Sequence, residues 1–180
     1  TREIIKINSI KGARIIDDDD KIGYLRLTAF QEDTMDMFDR AVEKLQKQGM
    51  KSLIMDLRYN PGGLLDTAIR LSNRFLKEGV IISVRGRRKE EVSTISATPE
   101  DATLAELPLV ILINGSSASA SEVFSGAMQD HKRAKLVGMR SYGKGSVQTV
   151  FPIKENGKDT GAAVKMTIAK YFTPLGRSLD

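Results

Sequence analysis

Leu109-Val110-Ile111-Leu112-Ile113-Asn114-Gly115-Ser116-Ser117-Ala118-Ser119-Ala120-Ser121-Glu122 is the stretch that decides how this chain reads. Five consecutive apolar residues make a short continuous run of the kind buried in parallel sheets. The run enters Asn114-Gly115, which punctuates a strand. Beyond the serines, Ala120, Val123, Phe124 and Ala127 recur at i, i+3, i+4, i+7, the spacing of one helix face. A strand therefore passes through a small polar turn into a helix.

The same alternation extends outward. A strand is expected near 22–28, and a helix over 34–48 from the stripe Phe38, Ala41, Val42, Leu45. Asp33 suits the N-cap of that helix and Gly49 its stop. Leu53 to Leu57 reads as a second buried strand, closed by Asn60-Pro61-Gly62-Gly63. A helix over 64–77 follows, with Ala68, Leu71, Ser72 and Phe75 at helical spacing, then a strand from Val80 to Arg85. The polar stretch containing Pro99 reads as loop. Lys135 to Val137 is a short strand, and 145–172 alternates as strands do, with Val164, Met166 and Ile168 on one face. Strands alternating with helices predict an α/β fold of βαβ units with a mostly parallel sheet, followed by a C-terminal β region. The run Asp17-Asp18-Asp19-Asp20 reads as a turn between two strands. It is not a calcium loop, because Ile22 and Thr28 occupy the places where such a loop needs Gly and Glu.

Composition bounds the function. The chain has 180 residues, enough for one domain, with 41% hydrophobic and 28% charged residues. No apolar run approaches the ~18 residues of a membrane-spanning helix. There is no cysteine, which excludes disulfides, thiol catalysis and Cys-ligated metal sites. The net charge of +5 is dispersed, and Arg85-Gly86-Arg87-Arg88-Lys89 is answered at once by Glu90 and Glu91. Without a clustered basic stripe interleaved with aromatics, nucleic acid is not an expected partner.

Three unusual segments each follow an expected strand: Asn60–Gly63, Ser116–Ser121 and Ser141–Gly145. Parallel strands would gather them at one carboxyl edge, where open α/β sheets place their sites. A serine at a strand-to-helix junction can be exposed beside helix N–H groups. Ser119-x-x-Glu122 is equally a capping box, and capping is the simpler reading of that serine alone. A nucleophilic serine needs a base. The one histidine, His131, lies 12 residues after Ser119, ~18 Å along a straight helix, so a Ser-His-Asp arrangement is not expected. Lys144, between two glycines, is the other available base; a lysine whose pKa is lowered by burial can deprotonate a serine. In a strand, Gln148 would share a face with Lys144 and could orient it. Gly62, Gly63 and Ala120 offer N–H groups for an oxyanion. Gly138 to Lys144 spells most of a phosphate-binding loop, but Gly145 stands where Ser or Thr should hold magnesium, and a strand pattern follows in place of a helix.

Taken together, the strings IMDLRYNPGGLL, LVILINGSSASASEVFSGAMQDHKRAKLVG, SYGKGSVQTV and AKYFTPLGR resemble the carboxyl-terminal processing, or tail-specific, proteases. The resemblance runs from about residue 22 to 180. It implies a Clp-protease/crotonase-like core and a serine endopeptidase with a Ser/Lys dyad, without cofactor or metal. By matching positions, Ser119 is the nucleophile, Lys144 the general base and Gln148 its assistant. Gly63 and Ala120 match the oxyanion donors, with Gly62 the alternative at the first place, and Glu122 is first a helix cap. The partners implied are protein or peptide substrates bound by their C-terminal region. The implied location is extracytoplasmic, periplasmic or membrane-associated. The family usually carries a PDZ domain ahead of this core, and none is read here, so residues 1–180 are expected to be a single excised catalytic core. Two other readings stand beside this one: a catalytically silent peptide-binding or scaffold module, and a crotonase-type acyl-CoA enzyme with similar oxyanion geometry.

Overall fold

The computed structural model describes residues 8–88, 90–155 and 157–180. Strands β1 (Ile10–Asp17) and β2 (Ile22–Leu27) form an antiparallel hairpin. Its turn is the aspartate run, in which Asp17 Oδ1 accepts the amides of Asp19 and Asp20 at 3.0 and 2.8 Å. Helix α1 (Thr34–Lys47) then leads to β3 (Ser52–Asp56), α2 (Leu65–Phe75), β4 (Val80–Gly86) and β5 (Val92–Ser96). A single 3-10 turn at Pro99–Asp101 precedes β6 (Leu109–Ile113), α3 (Ala120–Asp130), β7 (Lys135–Gly138), β8 (Ser146–Glu155) and β9 (Lys158–Phe172).

One five-stranded sheet runs β1-β2-β3-β6-β7, and β2, β3, β6 and β7 are mutually parallel. This is the expected mostly parallel α/β sheet. Alternate residues of its strands, Leu25, Leu27, Leu53, Met55, Leu109 and Ile111, are buried in the same core as Phe38, Leu71, Phe75 and Phe124 of the helices. Phe75 meets Phe38 and Phe124 edge-to-face at 6.1 and 6.0 Å between ring centroids, joining all three helices. Each such ring, once buried, contributes roughly 1.5–3 kcal/mol from removed apolar surface. The parallel register sets Asp56 beside Leu112, and Ile113 beside Gly138. The turns after β3, β6 and β7 therefore leave from one edge, as the sequence pattern implied.

A second, antiparallel sheet runs β5-β4-β9-β8. One expectation changes here. The polar stretch before Pro99 is not all loop, because β5 pairs with β4; its residues are polar or β-branched and mostly exposed, so no apolar pattern marked it. Val164, Met166 and Ile168 do share a face, but that face is exposed, on a β8–β9 hairpin whose exposed apolar residues also include Phe151 and Ile153. Asp33 also precedes α1 without a side-chain capping bond; Thr34 Oγ1 accepts the Gln31 amide at 2.8 Å in that turn.

Candidate active site

The turn after β3 is built on Asn60, which is fully buried. Its side-chain amide donates to the Leu27 carbonyl at 2.9 Å, and its Oδ1 accepts the Gly62 amide at 2.9 Å. Its carbonyl accepts the Ala118 amide at 3.0 Å and the Ser121 hydroxyl at 3.1 Å. One side chain and one carbonyl thus join the end of β2, the glycine turn and the serine turn. In the sequence Asn60 reads as turn punctuation, and its only signal is its place ahead of Pro61-Gly62-Gly63.

This bonding separates the two glycines. The Gly62 N–H is spent on Asn60. Among the described residues the N–H groups of Gly63 and Ala120 have no hydrogen-bond partner. Gly62 has φ +99°, and a β-carbon there would lie 2.6 Å from the Ala118 oxygen and 2.9 Å from the Ala120 nitrogen. Gly63 has φ +145° and pairs with Phe30 so closely that a β-carbon would meet the Phe30 oxygen at 2.0 Å. Only glycine lets the two turns approach this far.

Ser119 sits immediately before α3 with φ +54° and ψ −116°. A side chain in that conformation stores roughly 1–3 kcal/mol and persists only where its surroundings over-determine it. They do here. Ser117 is buried, donates its hydroxyl to the Leu57 carbonyl at 2.8 Å and accepts the Asn114 amide at 3.0 Å. The Ser119 carbonyl takes the amides of Glu122 and Val123 at 2.7 and 2.9 Å. A sharp strand-to-helix turn of this kind presents its serine hydroxyl at the sheet edge. The capping box is in place, with Glu122 Oε2 accepting the Ser119 amide at 2.8 Å, but the Ser119 hydroxyl falls short of a cap hydrogen bond.

The third segment docks onto the second. The Tyr142 amide donates to the Ser117 carbonyl at 3.0 Å. The amides of Gly143 and Lys144 donate to Glu122 Oε1 and Oε2 at 2.6 and 2.8 Å. Gly145 donates to Asp180 Oδ1 at 2.8 Å, and Asp180 also pairs with Lys170 at 2.8 Å. The Lys170 ammonium, first, and the Gly145 amide hold the Asp180 carboxyl below the usual carboxylate range.

The structure gathers the backbones of Gly63, Ser119, Ala120 and Lys144 at one edge. It does not join the Lys144 ammonium to Ser119 or Gln148 by a hydrogen bond, and the Lys144 side chain is exposed to solvent. Lys144 lies ahead of β8, and a register shift falls between Val147 and Gln148, so the simple alternation that put Gln148 beside Lys144 is interrupted. His131 ends α3 and bonds through Nε2 to the Val80 carbonyl at 2.7 Å.

A buried carboxylate lies just behind the edge. Asp56 accepts Arg58 Nε and the Arg58 amide at 2.9 Å, Arg58 Nη2 at 2.7 Å and the Tyr24 hydroxyl at 2.8 Å. Burial pushes its carboxyl up, but these bonds outweigh burial and hold it below the usual range. Burial, then the bond to Asp56, pushes the Tyr24 phenol up.

Fold and site together define an α/β protein with a strained serine elbow at the carboxyl edge of a mostly parallel sheet, the geometry in which serine hydrolases carry a nucleophile. Residues 21–180 match peptidase family S41, and the chain belongs to that family. It is 46% identical over 183 residues to a carboxy-terminal-processing protease of Bartonella bacilliformis, covering 99% of this chain and 40% of the relative. It is 36% identical over 182 residues to a carboxyl-terminal-processing protease of Picosynechococcus, covering 100% and 42%. Among solved structures, the photosystem II D1 C-terminal processing protease superposes with a TM-score of 0.82 at 30% identity, over 100% of this chain and 47% of that one. The chain thus spans less than half the length of these relatives.

Proposed function

We propose that this chain is the catalytic core of a serine endopeptidase of the carboxyl-terminal processing type, with Ser119 as nucleophile, Lys144 as general base and the amides of Gly63 and Ala120 as oxyanion donors. The observation that carries the reading is the strained Ser119 turn beside two backbone N–H groups left without partners among the described residues. Family membership and the names of the relatives support it.

In this mechanism neutral Lys144 Nζ takes the Ser119 hydroxyl proton as Oγ bonds to the scissile carbonyl carbon. The oxyanion is held between Gly63 and Ala120. The C–N bond then breaks and Lys144 returns the proton to the leaving amine. A water deprotonated by Lys144 hydrolyses the acyl-enzyme. A substrate strand laid over the edge would also exclude water from the reacting groups. Gln148 orients the amine from the start of β8. The substrates are proteins or peptides engaged through their C-terminal region, and the enzyme works outside the cytoplasm.

The exposed Lys144 side chain favours one other reading, a silent core that binds peptides without cleaving them. A fluorophosphonate probe followed by peptide mapping separates the two. Labelling at Ser119 that is strongly slowed in Lys144→Ala and unaffected by chelators is expected of the dyad. A folded protein that binds peptides but never labels would leave the silent core.

A further inference from the structure

Glu122 does more than cap a helix. It is 4% exposed, and its carboxylate accepts three backbone amides from two segments of the chain. Ser119 N–H and Lys144 N–H both end on Oε2 at 2.8 Å, and Gly143 N–H ends on Oε1 at 2.6 Å. One oxygen atom is therefore common to the backbone of the serine and the backbone of the lysine, two residues that are otherwise unconnected by hydrogen bonds. The Lys144 turn has little else at this point. Among the described residues its other hydrogen bonds outside the strands are Tyr142 to Ser117 on one side and Gly145 to Asp180 and Tyr171 on the other. The glycines on both sides of Lys144 give the turn no stiffness of its own.

We propose that Glu122 is a positioning residue that sets the distance and angle between Ser119 and Lys144, through the amides of both. The inference rests on the dyad reading above and deepens it. A carboxylate is required because all three groups that it meets are donors. Glutamine keeps the shape but replaces one acceptor by an NH2 group, so at least one of the three amides then faces a donor. Whichever oxygen is lost, the hold on Gly143 alone or on Ser119 and Lys144 together is broken. A misplacement of about 1 Å between reacting groups can cost on the order of 10²-fold in rate.

The test uses the full-length protein, a fluorophosphonate probe, and the variants Glu122→Gln, Lys144→Ala and the double substitution. Glu122→Gln is expected to lower the maximal labelling rate roughly 10²-fold with the probe's half-saturation unchanged. In the Lys144→Ala background the same change should cost less than about twofold, since there is no base left to position. Hydrogen exchange should rise at Gly143 and Lys144 in Glu122→Gln while the amides of β3 and β6 stay protected. That reports the hold on the turn independently of catalysis and shows that the fold is intact. Equal losses in both backgrounds would reduce Glu122 to a structural cap and overturn the proposal, as would unchanged exchange at Gly143 and Lys144. If Lys144→Ala labels as fast as the unaltered protein, the dyad itself fails and the positioning role falls with it. If Lys144→Ala is strongly slowed and Glu122→Gln is fully active, only the role of Glu122 fails.

Discussion

A β-carbon placed on Gly62 would lie 2.9 Å from the β-carbon of Ser119. Two turns from different parts of the chain are thus packed to the limit that a missing side chain permits. Gly62→Ala combines that clash with a φ of +99°. It should destabilise the fold by about 1–3 kcal/mol. It should also slow labelling of Ser119 by pushing Ala120 away from Gly63. Urea unfolding and probe kinetics on one preparation check both effects, and an Ala variant with unaltered kinetics would contradict the tight packing.

The strain at Ser119 makes an opposite prediction. Ser119→Gly removes the side chain from a conformation that costs about 1–3 kcal/mol, whereas Ser119→Ala keeps the strain. Glycine's greater freedom in the unfolded chain takes back ~0.5–1 kcal/mol. The Gly variant should melt above the Ala variant, with both inert toward the probe. Calorimetry decides, and an Ala variant at least as stable as Gly would mean that the turn is relaxed.

Asn60 is the buried hub of the edge. Asn60→Ala leaves the Leu27 carbonyl and the Gly62 amide without these partners, at about 1–3 kcal/mol each. In the proposed mechanism a freed Gly62 amide would also compete with Gly63 for the oxyanion. A loss of about 2–6 kcal/mol in denaturant titration is expected. A loss below about 0.5 kcal/mol, the floor for a typical hydrogen bond, would show that other groups replace these bonds.

Acid should weaken the fold through Asp56. Its carboxyl titrates lower in the folded chain than in the unfolded one, because the bonds from Arg58 and Tyr24 outweigh burial. The stability this contributes is complete above the ordinary carboxylate value of about 4 and drains as pH falls through the lower folded value. Asp56→Asn removes that component. Unfolding free energies measured from about pH 7 down to about pH 3 should fall less steeply for the variant than for the unaltered chain, and parallel curves would contradict the assignment.

Much of the fold was legible because its signals are local. The stripe Ala68, Leu71, Ser72, Phe75 and the run Leu109–Ile113 carry their periodicity in the residues themselves; the stripe is buried throughout, and the run is buried at Leu109 and Ile111. β5 was not legible, since its residues follow no apolar pattern and it is a strand by virtue of pairing with β4. The hairpin β8–β9 alternates clearly, yet alternation does not say which face is covered, and here the apolar face is open.

For the candidate site, the sequence by itself determined the parts: three glycine- and serine-rich turns, each after a strand, that parallel pairing must bring to one edge. Residue types at fixed spacing suffice for that, because strand and helix periods are properties of the local chain. Tertiary structure alone decided which groups meet. It spent the Gly62 amide on Asn60 and left those of Gly63 and Ala120 without partners among the described residues. It set Ser119 at positive φ and put the amides of Ser119 and Lys144 on one oxygen of Glu122. It also left Lys144 exposed. Hydrogen-bond partners far apart in sequence, and a strained backbone angle, are fixed by packing across the whole sheet, and no local pattern encodes them.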